Sequence, residues 1–96
     1  MIDEVLGVRA RIRMILELYK VGETNTTDLA RRLGLNYGQL ERHLKVLAEA
    51  GIVEERRLGK RLRLVRLRKD EKITALAEAL AELEAAVASQ PMRAGS

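Results

Sequence analysis

TNTTDLARRLGLNYGQLERHLKVLAEAGIVEERR, residues 24–57, holds two short apolar-periodic segments on either side of Gly34. Leu29, Ala30 and Leu33 form the inward face of a short helix that opens on Asn25, with Asp28 three residues on as a loose capping box. Gly34 stops that helix, because glycine adopts the left-handed conformation at little cost. Asn36 opens the next helix, and Gln39 three residues later completes a cleaner capping box. Leu40, Leu44 and Leu47, spaced 4 and 3 apart, face inward until Gly51 ends the helix. Between the two helices there is room only for a turn of three or four residues, as a helix–turn–helix requires.

Working outward, Ile52 to Arg57 reads as a strand, Leu58-Gly59-Lys60 as a turn, and Arg61 to Arg68 (RLRLVRLR) as a second strand alternating basic and apolar residues. Its one phase slip, at Leu64-Val65, is either a bulge or a strand with mixed faces. Upstream, a first helix is predicted over about Asp3 to Lys20, capped by Asp3, with Val5, Val8, Ile12, Ile15, Leu16 and Tyr19 on its apolar face. Gly7 weakens its opening turn. Arg9, Arg11, Arg13 and Lys20 lie largely off that face and read as solvated charges.

Downstream, Ile73, Leu76, Leu80, Leu83 and Val87 alternate spacings of 3 and 4 in an a/d seam on a terminal helix starting near Asp70. Such a seam needs a partner. Packing back on its own domain is one solution, and pairing with the same helix of a second chain is the preferred one. Glu78, Glu82 and Glu84 read as a solubilising face. The expected class is therefore mainly α with a small β-hairpin (α+β). The expected division is a helix–turn–helix domain with its hairpin over 1–69, a coiled-coil-like dimerisation helix over 70–88 and a flexible tail over 89–96.

Composition narrows the chemistry. In 96 residues the only aromatics are Tyr19 and Tyr37, so the core is built from Leu, Ile, Val and Ala, and no platform exists for stacking unpaired bases. Without cysteine there is no disulfide, thiolate or Cys-ligated metal chemistry, and the single histidine, His43, builds no metal site alone. No Ser-His-Asp set, P-loop or nucleotide fingerprint is present, so neither enzyme activity nor a cofactor is expected. Charges recur through the first twenty residues, which argues against a membrane segment and for a cytoplasmic protein. Residues 36–69 carry 10 basic and 4 acidic groups, whereas residues 70–96 carry 2 basic and 5 acidic. A polyanion would meet the middle of the chain.

The major groove of B-DNA, about 12 Å wide, admits one α-helix held out on a scaffold. The helix opened by Asn36 fits, with Tyr37, Gly38, Gln39, Glu41, Arg42 and Lys45 turned outward. Tyr37, Gln39 and Arg42 are the expected base readers, because such helices read through their N-terminal turns. Asn25, Thr26, Thr27, Asn36, Gly38, His43 and Lys45 are expected at the phosphate backbone, the helix starts through their free N–H groups. Gly38 fits either a close backbone approach to DNA or simple tolerance at a helix start. Arg56, Arg57, Lys60, Arg61 and Arg63 surround the hairpin turn as phosphate contacts, with Lys60 or Arg61 reaching the minor groove.

The run LNYGQLERHLKVLAEAGIVEERRLGKRLRLVRL resembles winged helix–turn–helix regulators of the ArsR type, carried by His43-Leu44, Leu47, Gly51, Ile52 and Val53, with Leu29 to Leu35 matching the family's second helix and turn. The Asn36-Tyr37 pair and the terminal heptad helix also resemble small archaeal winged-helix dimers. The resemblance implies a homodimer on double-stranded DNA at a pseudo-palindromic site, acting as a repressor or regulator, with residues 37, 39 and 42 facing DNA. Many ArsR-type proteins sense metals through Cys and His; that property does not carry over, and a small-molecule effector is left open. A low-specificity architectural DNA binder and a winged-helix protein-interaction module are the alternatives.

Overall fold

The computed structural model describes residues 1–90. Helices α1 (Ile2–Leu6) and α2 (Arg9–Val21) are followed by strand β1 (Glu23–Asn25). Helices α3 (Thr26–Leu33) and α4 (Tyr37–Glu49) come next, then strands β2 (Val53–Leu58) and β3 (Leu62–Leu67), and finally α5 (Glu71–Ala88). This is the expected winged helix–turn–helix, helix-rich with a small antiparallel sheet. Most of the expected tail lies outside the described residues.

The turn between α3 and α4 closes as the glycine pattern predicts. Gly34 sits at φ 67°, its N–H donates to Arg31 O, and the Leu35 N–H donates to Ala30 O at 3.0 Å. These are the paired bonds of a Schellman closure, and Leu35 and Ala30 both pack onto the core beneath. Asn36 then caps α4 with both bonds of the capping box: Gln39 N–H to Asn36 Oδ1 at 2.9 Å, and Asn36 N–H to Gln39 Oε1 at 3.0 Å. The box at Asn25 is only half formed. Its side chain accepts from the Asp28 N–H, but the Asp28 carboxylate turns to the Thr24 hydroxyl at 2.6 Å.

Leu40, Leu44 and Leu47 are fully buried against Met14, Ile15, Leu18, Leu29, Ile52, Val53, Val65 and Ala77. Removing one such leucine side chain costs about 2–5 kcal/mol, and this anchoring is what holds the other side of α4 outward.

Three expectations change. The single first helix is two, because the chain breaks at Gly7-Val8. Gly7 N–H donates to Asp3 O at 2.7 Å, Val8 is extended, and a Cβ at Gly7 would clash with the Asp3 carbonyl oxygen. Asp3 receives the terminal ammonium rather than capping a helix. The break resets the helical phase. Met14, Ile15 and Leu18 are the buried residues of α2, while Tyr19 is exposed and Ile12 and Leu16 are half-buried.

The hairpin is part of a three-stranded sheet in the order β1-β3-β2. The short β1, unrecognised in the sequence, pairs Glu23 with Arg66, Thr24 with Val65 and Asn25 with Leu64. Pairing of β2 with β3 runs without interruption from Val53–Leu67 to Leu58–Leu62, so the slip at Leu64-Val65 is a strand with mixed faces and not a bulge. Val53, Val65 and Leu67 meet the core, and the alternation leaves Leu58, Leu62 and Leu64 on the other face.

Finally, α5 lies against its own domain over its first half. Asp70 caps it, Ala77 is completely buried, and Ile73 and Leu80 pack on the core. Glu84, expected as a solvated charge, bonds Arg13 at 2.8 Å, so neither residue is simply solvated. Leu83 and Val87 remain 60% and 61% exposed.

Candidate nucleic-acid interface

With its three leucines buried, α4 exposes Tyr37, Gly38, Arg42 and Lys45 along one side, with Gln39 and Glu41 half-buried beside them. Arg42 has no ion-pair partner among the described residues, whereas Lys45 lies 4.0 Å from Glu49. Gln39 is held in the cap through Oε1, which leaves its amide N–H2 free but occupies the acceptor that a bidentate adenine contact would use. A Cβ placed on Gly38 would meet only Asn36 Oδ1, at 3.6 Å, so nothing within the protein requires glycine there.

The wing is less uniformly cationic than its sequence. Between Arg56 and Lys69 there are eight basic residues and no acidic ones, yet carboxylates from other segments reach several of them. Arg56 bonds Glu23 of β1 at 2.8 Å, and Arg66 bonds Glu54 of β2 at 2.8 Å. Arg63 bonds both Glu41 of α4 and Glu55 of β2. Those hydrogen bonds, Glu41 first and then Glu55, raise the Arg63 pKa above the ordinary guanidinium value. Among the described residues, Arg57, Lys60 and Arg61 keep no such partner and stand exposed around the three-residue loop that joins β2 to β3.

Other site candidates have internal partners. The Asn25 side chain caps α3, and Thr26 is buried, so of that trio Thr27 alone is exposed. His43 turns toward α2, where its Nδ1 accepts from Arg11 Nε at 3.3 Å. Burial first, then the charges of Arg11 and Arg42, lower its pKa, so the ring is a neutral acceptor at pH 7. Asp28 gathers Thr24, Arg32 and Arg31, which hold its carboxyl well below the usual range. Arg32 also reaches Glu17 of α2 at 3.2 Å, tying the two helices.

The sequence reading missed Glu23, Glu54 and Glu55 as partners. A signal existed for two of them. A hairpin centred on residues 59–61 puts Glu54 opposite Arg66 and Glu55 diagonal to Arg63. No comparable rule reaches from Arg63 to Glu41 or from Arg56 to Glu23.

No group of residues suited to hold a metal ion occurs among the described residues, and no described helix is long and apolar enough to cross a membrane. Residues 9–55 match the model of the arsR family of bacterial regulatory proteins. The solved transcriptional repressor BigR from Xylella fastidiosa is 28% identical, with a TM-score of 0.75 over 92% of this chain and 84% of that one. Rv0081 from M. tuberculosis is 27% identical, with a TM-score of 0.71 over 90% and 84%. HlyU from Vibrio cholerae N16961, at 23% identity, shares the fold with a TM-score of 0.79 over 88% of each chain. No curated protein sequence matches this chain.

Proposed function

We propose that this DNA-binding winged helix–turn–helix regulator of the ArsR type acts as a homodimer on a specific, two-fold related duplex site, as a repressor. The observation that carries the reading is a combination: α4 has its leucines buried and Tyr37, Gly38 and Arg42 exposed, and Arg63 joins it to the wing, whose end bears the exposed Arg57, Lys60 and Arg61. Arg42 is the proposed base reader, since Arg pairs bidentately with guanine O6 and N7. Tyr37 and the free amide of Gln39 stand beside it. The loop cations and the start of α4 supply phosphate contacts, which set register and affinity but carry no sequence information.

The exposed Leu83 and Val87 on α5 support pairing with a second chain, Leu76 alongside them, while Ile73 and Leu80 belong chiefly to the chain's own core. Two α4 helices related by a two-fold axis would then enter successive major grooves, about 34–36 Å apart. The repressor assignment follows BigR, described as a transcriptional repressor.

The test is selection of bound fragments from a random duplex pool at about physiological salt. A palindromic consensus with half-sites about one helical turn apart is expected. Arg42→Ala should reduce the ratio of specific to random binding by roughly 5- to 150-fold, the equivalent of about 1–3 kcal/mol for one bidentate pair. Binding without any consensus would assign a low-specificity architectural role, and absence of binding at low salt would assign a protein-interaction module.

A further inference from the structure

Arg63 was expected at the phosphate backbone, but the structure engages every donor it has. A guanidinium carries five N–H groups. Nε donates to Glu55 Oε2 at 3.2 Å. Nη2 donates to both Glu55 oxygens at 2.9 Å and to Glu41 Oε2 at 3.3 Å. Nη1 donates to Glu41 Oε1 and to the Tyr37 hydroxyl oxygen at 3.0 Å. The side chain is only 17% exposed, and the two carboxylates outweigh its single charge. No N–H remains for a phosphate, and the cluster as a whole is anionic.

We propose that Arg63 is a positioning residue: it clamps β3 of the wing to α4 and occupies the oxygen of the Tyr37 phenol, so that Tyr37 presents its O–H as a donor to acceptor atoms on the floor of the major groove. The proposal rests on the DNA-reading role of α4. Its geometry is a three-point bridge. Glu55 comes from β2, Glu41 from the second turn of α4, and Tyr37 from the first helical position, 63% exposed on the groove-facing side.

A phenol whose oxygen already accepts a charge-assisted bond is polarised as a donor. Guanine O6 and N7, adenine N7 and thymine O4 are acceptors in the major groove, whereas cytosine shows an amine there. Tyr37 therefore discriminates against cytosine at the position it meets, although Arg63, which sets this preference, does not touch DNA. Lysine, a point charge with three donors, cannot reproduce the planar two-carboxylate fork.

The experiment measures binding of the purified full chain to its selected duplex across a range of salt concentrations, for wild type, Arg63→Met, Arg63→Lys, Tyr37→Phe and the Arg63→Met/Tyr37→Phe double variant. Removing a phosphate contact lowers the salt slope by about 0.9 per contact. The clamp predicts no change in slope for Arg63→Met, a loss of about 2- to 13-fold in affinity for Tyr37→Phe as expected for one hydrogen bond, and no further loss when Tyr37→Phe is added to Arg63→Met. Arg63→Lys should fail to restore discrimination against cytosine. A lower slope in Arg63→Met that lysine restores would overturn the proposal, as would independent, multiplicative losses from the two single changes. If Arg63→Met does not fold, Glu41→Ala/Glu55→Ala, which removes the acceptors that hold the guanidinium, tests the same clamp. Releasing the guanidinium should steepen the slope by about 0.9 per protomer and weaken discrimination at the Tyr37 position; an unchanged slope and preference would overturn the clamp. Absence of wild-type binding to any duplex would instead refute the DNA reading itself.

Discussion

Replacing Gly38 with alanine should make the protein more stable and a poorer DNA binder, two effects of opposite sign from one methyl group. Gly38 is the second residue of α4, after the Asn36 cap and Tyr37. The methyl would meet only Asn36 Oδ1, at 3.6 Å, an ordinary van der Waals contact, so the folded state accepts it without displacement. Glycine within a helix costs roughly 0.5–1 kcal/mol relative to alanine, mostly through the freedom it has when unfolded. Near the helix start the lower part of that range applies. At about 4–8 °C per kcal/mol for a domain of this size, the melting temperature should rise by about 2–4 °C. On DNA the same methyl stands on the exposed side of α4, between Tyr37 and Arg42. If the backbone there lies against the duplex, a methyl that cannot be accommodated costs at least about 1.4 kcal/mol, or tenfold in Kd. Thermal unfolding followed by circular dichroism gives the first quantity, and a fluorescence anisotropy titration at fixed salt gives the second. A lower melting temperature would refute the account of the helix start. A higher one with unchanged affinity would show that the backbone at Gly38 does not approach DNA, leaving simple tolerance of glycine as the reason for its presence.

Lys60→Ala/Arg61→Ala should flatten the salt dependence of DNA binding by about 3.6 units for a dimer, at about 0.9 per phosphate contact, whereas Arg56→Met, whose charge already faces Glu23, should leave the slope unchanged. Asp28→Asn should lower stability at neutral pH. The lowered folded pKa of Asp28 means that the wild-type advantage is complete above the unfolded value of about 3.9 and fades as pH falls below it. Acid unfolding curves of the two proteins should therefore converge from about pH 4 downward, and a constant offset would remove Asp28 as the cause. Leu83→Glu/Val87→Glu should shift the chain from dimer to monomer in sedimentation while leaving the helical signal of the domain intact, because both positions are exposed in the single chain; an undisturbed dimer would move the interface elsewhere.

Much of this architecture is legible in the sequence because it depends on short-range rules. The Asn36–Gln39 box, the left-handed Gly34 and the leucines at 40, 44 and 47 are separated by only a few residues, and each states its geometry locally. The break at Gly7 was visible only as a weakness. Whether a glycine frays a helix or divides it depends on what the next segment packs against, and α2 meets α3, α4, α5 and two strands. The three-residue β1 is too short to show a pattern, and its pairing depends on β3, some forty residues away. On α5 the seam read as one stripe divides into two, because Ala77, too small to mark a core face by its type, is the residue the core closes over. Among site residues, exposure of Tyr37 and Arg42 followed from the helical period, whereas the internal partners of Arg63, Arg56 and His43 required the fold.

Those internal partners alter how the wing's charge should act. Six unpaired basic residues along a hairpin would attract phosphates anywhere on its surface and fix no register. In the folded chain, Glu23, Glu54 and Glu55 with Glu41 neutralise the strand body and leave Arg57, Lys60 and Arg61 as the cationic end. The anionic Glu41–Arg63–Glu55 cluster joins β2 and β3 to α4. On a duplex, a phosphate drawn toward the crevice between wing and helix meets net negative charge within one Debye length, about 8–10 Å, and is favoured instead at the loop tip or at the start of α4. On the proposed DNA-reading role, the same acidic residues that reduce the total attraction would limit the poses in which wing and helix engage DNA together. Neutralising Glu41 and Glu55 should accordingly raise affinity for random duplex more than for the selected site, and an equal gain on both would show that the cluster has no part in setting register.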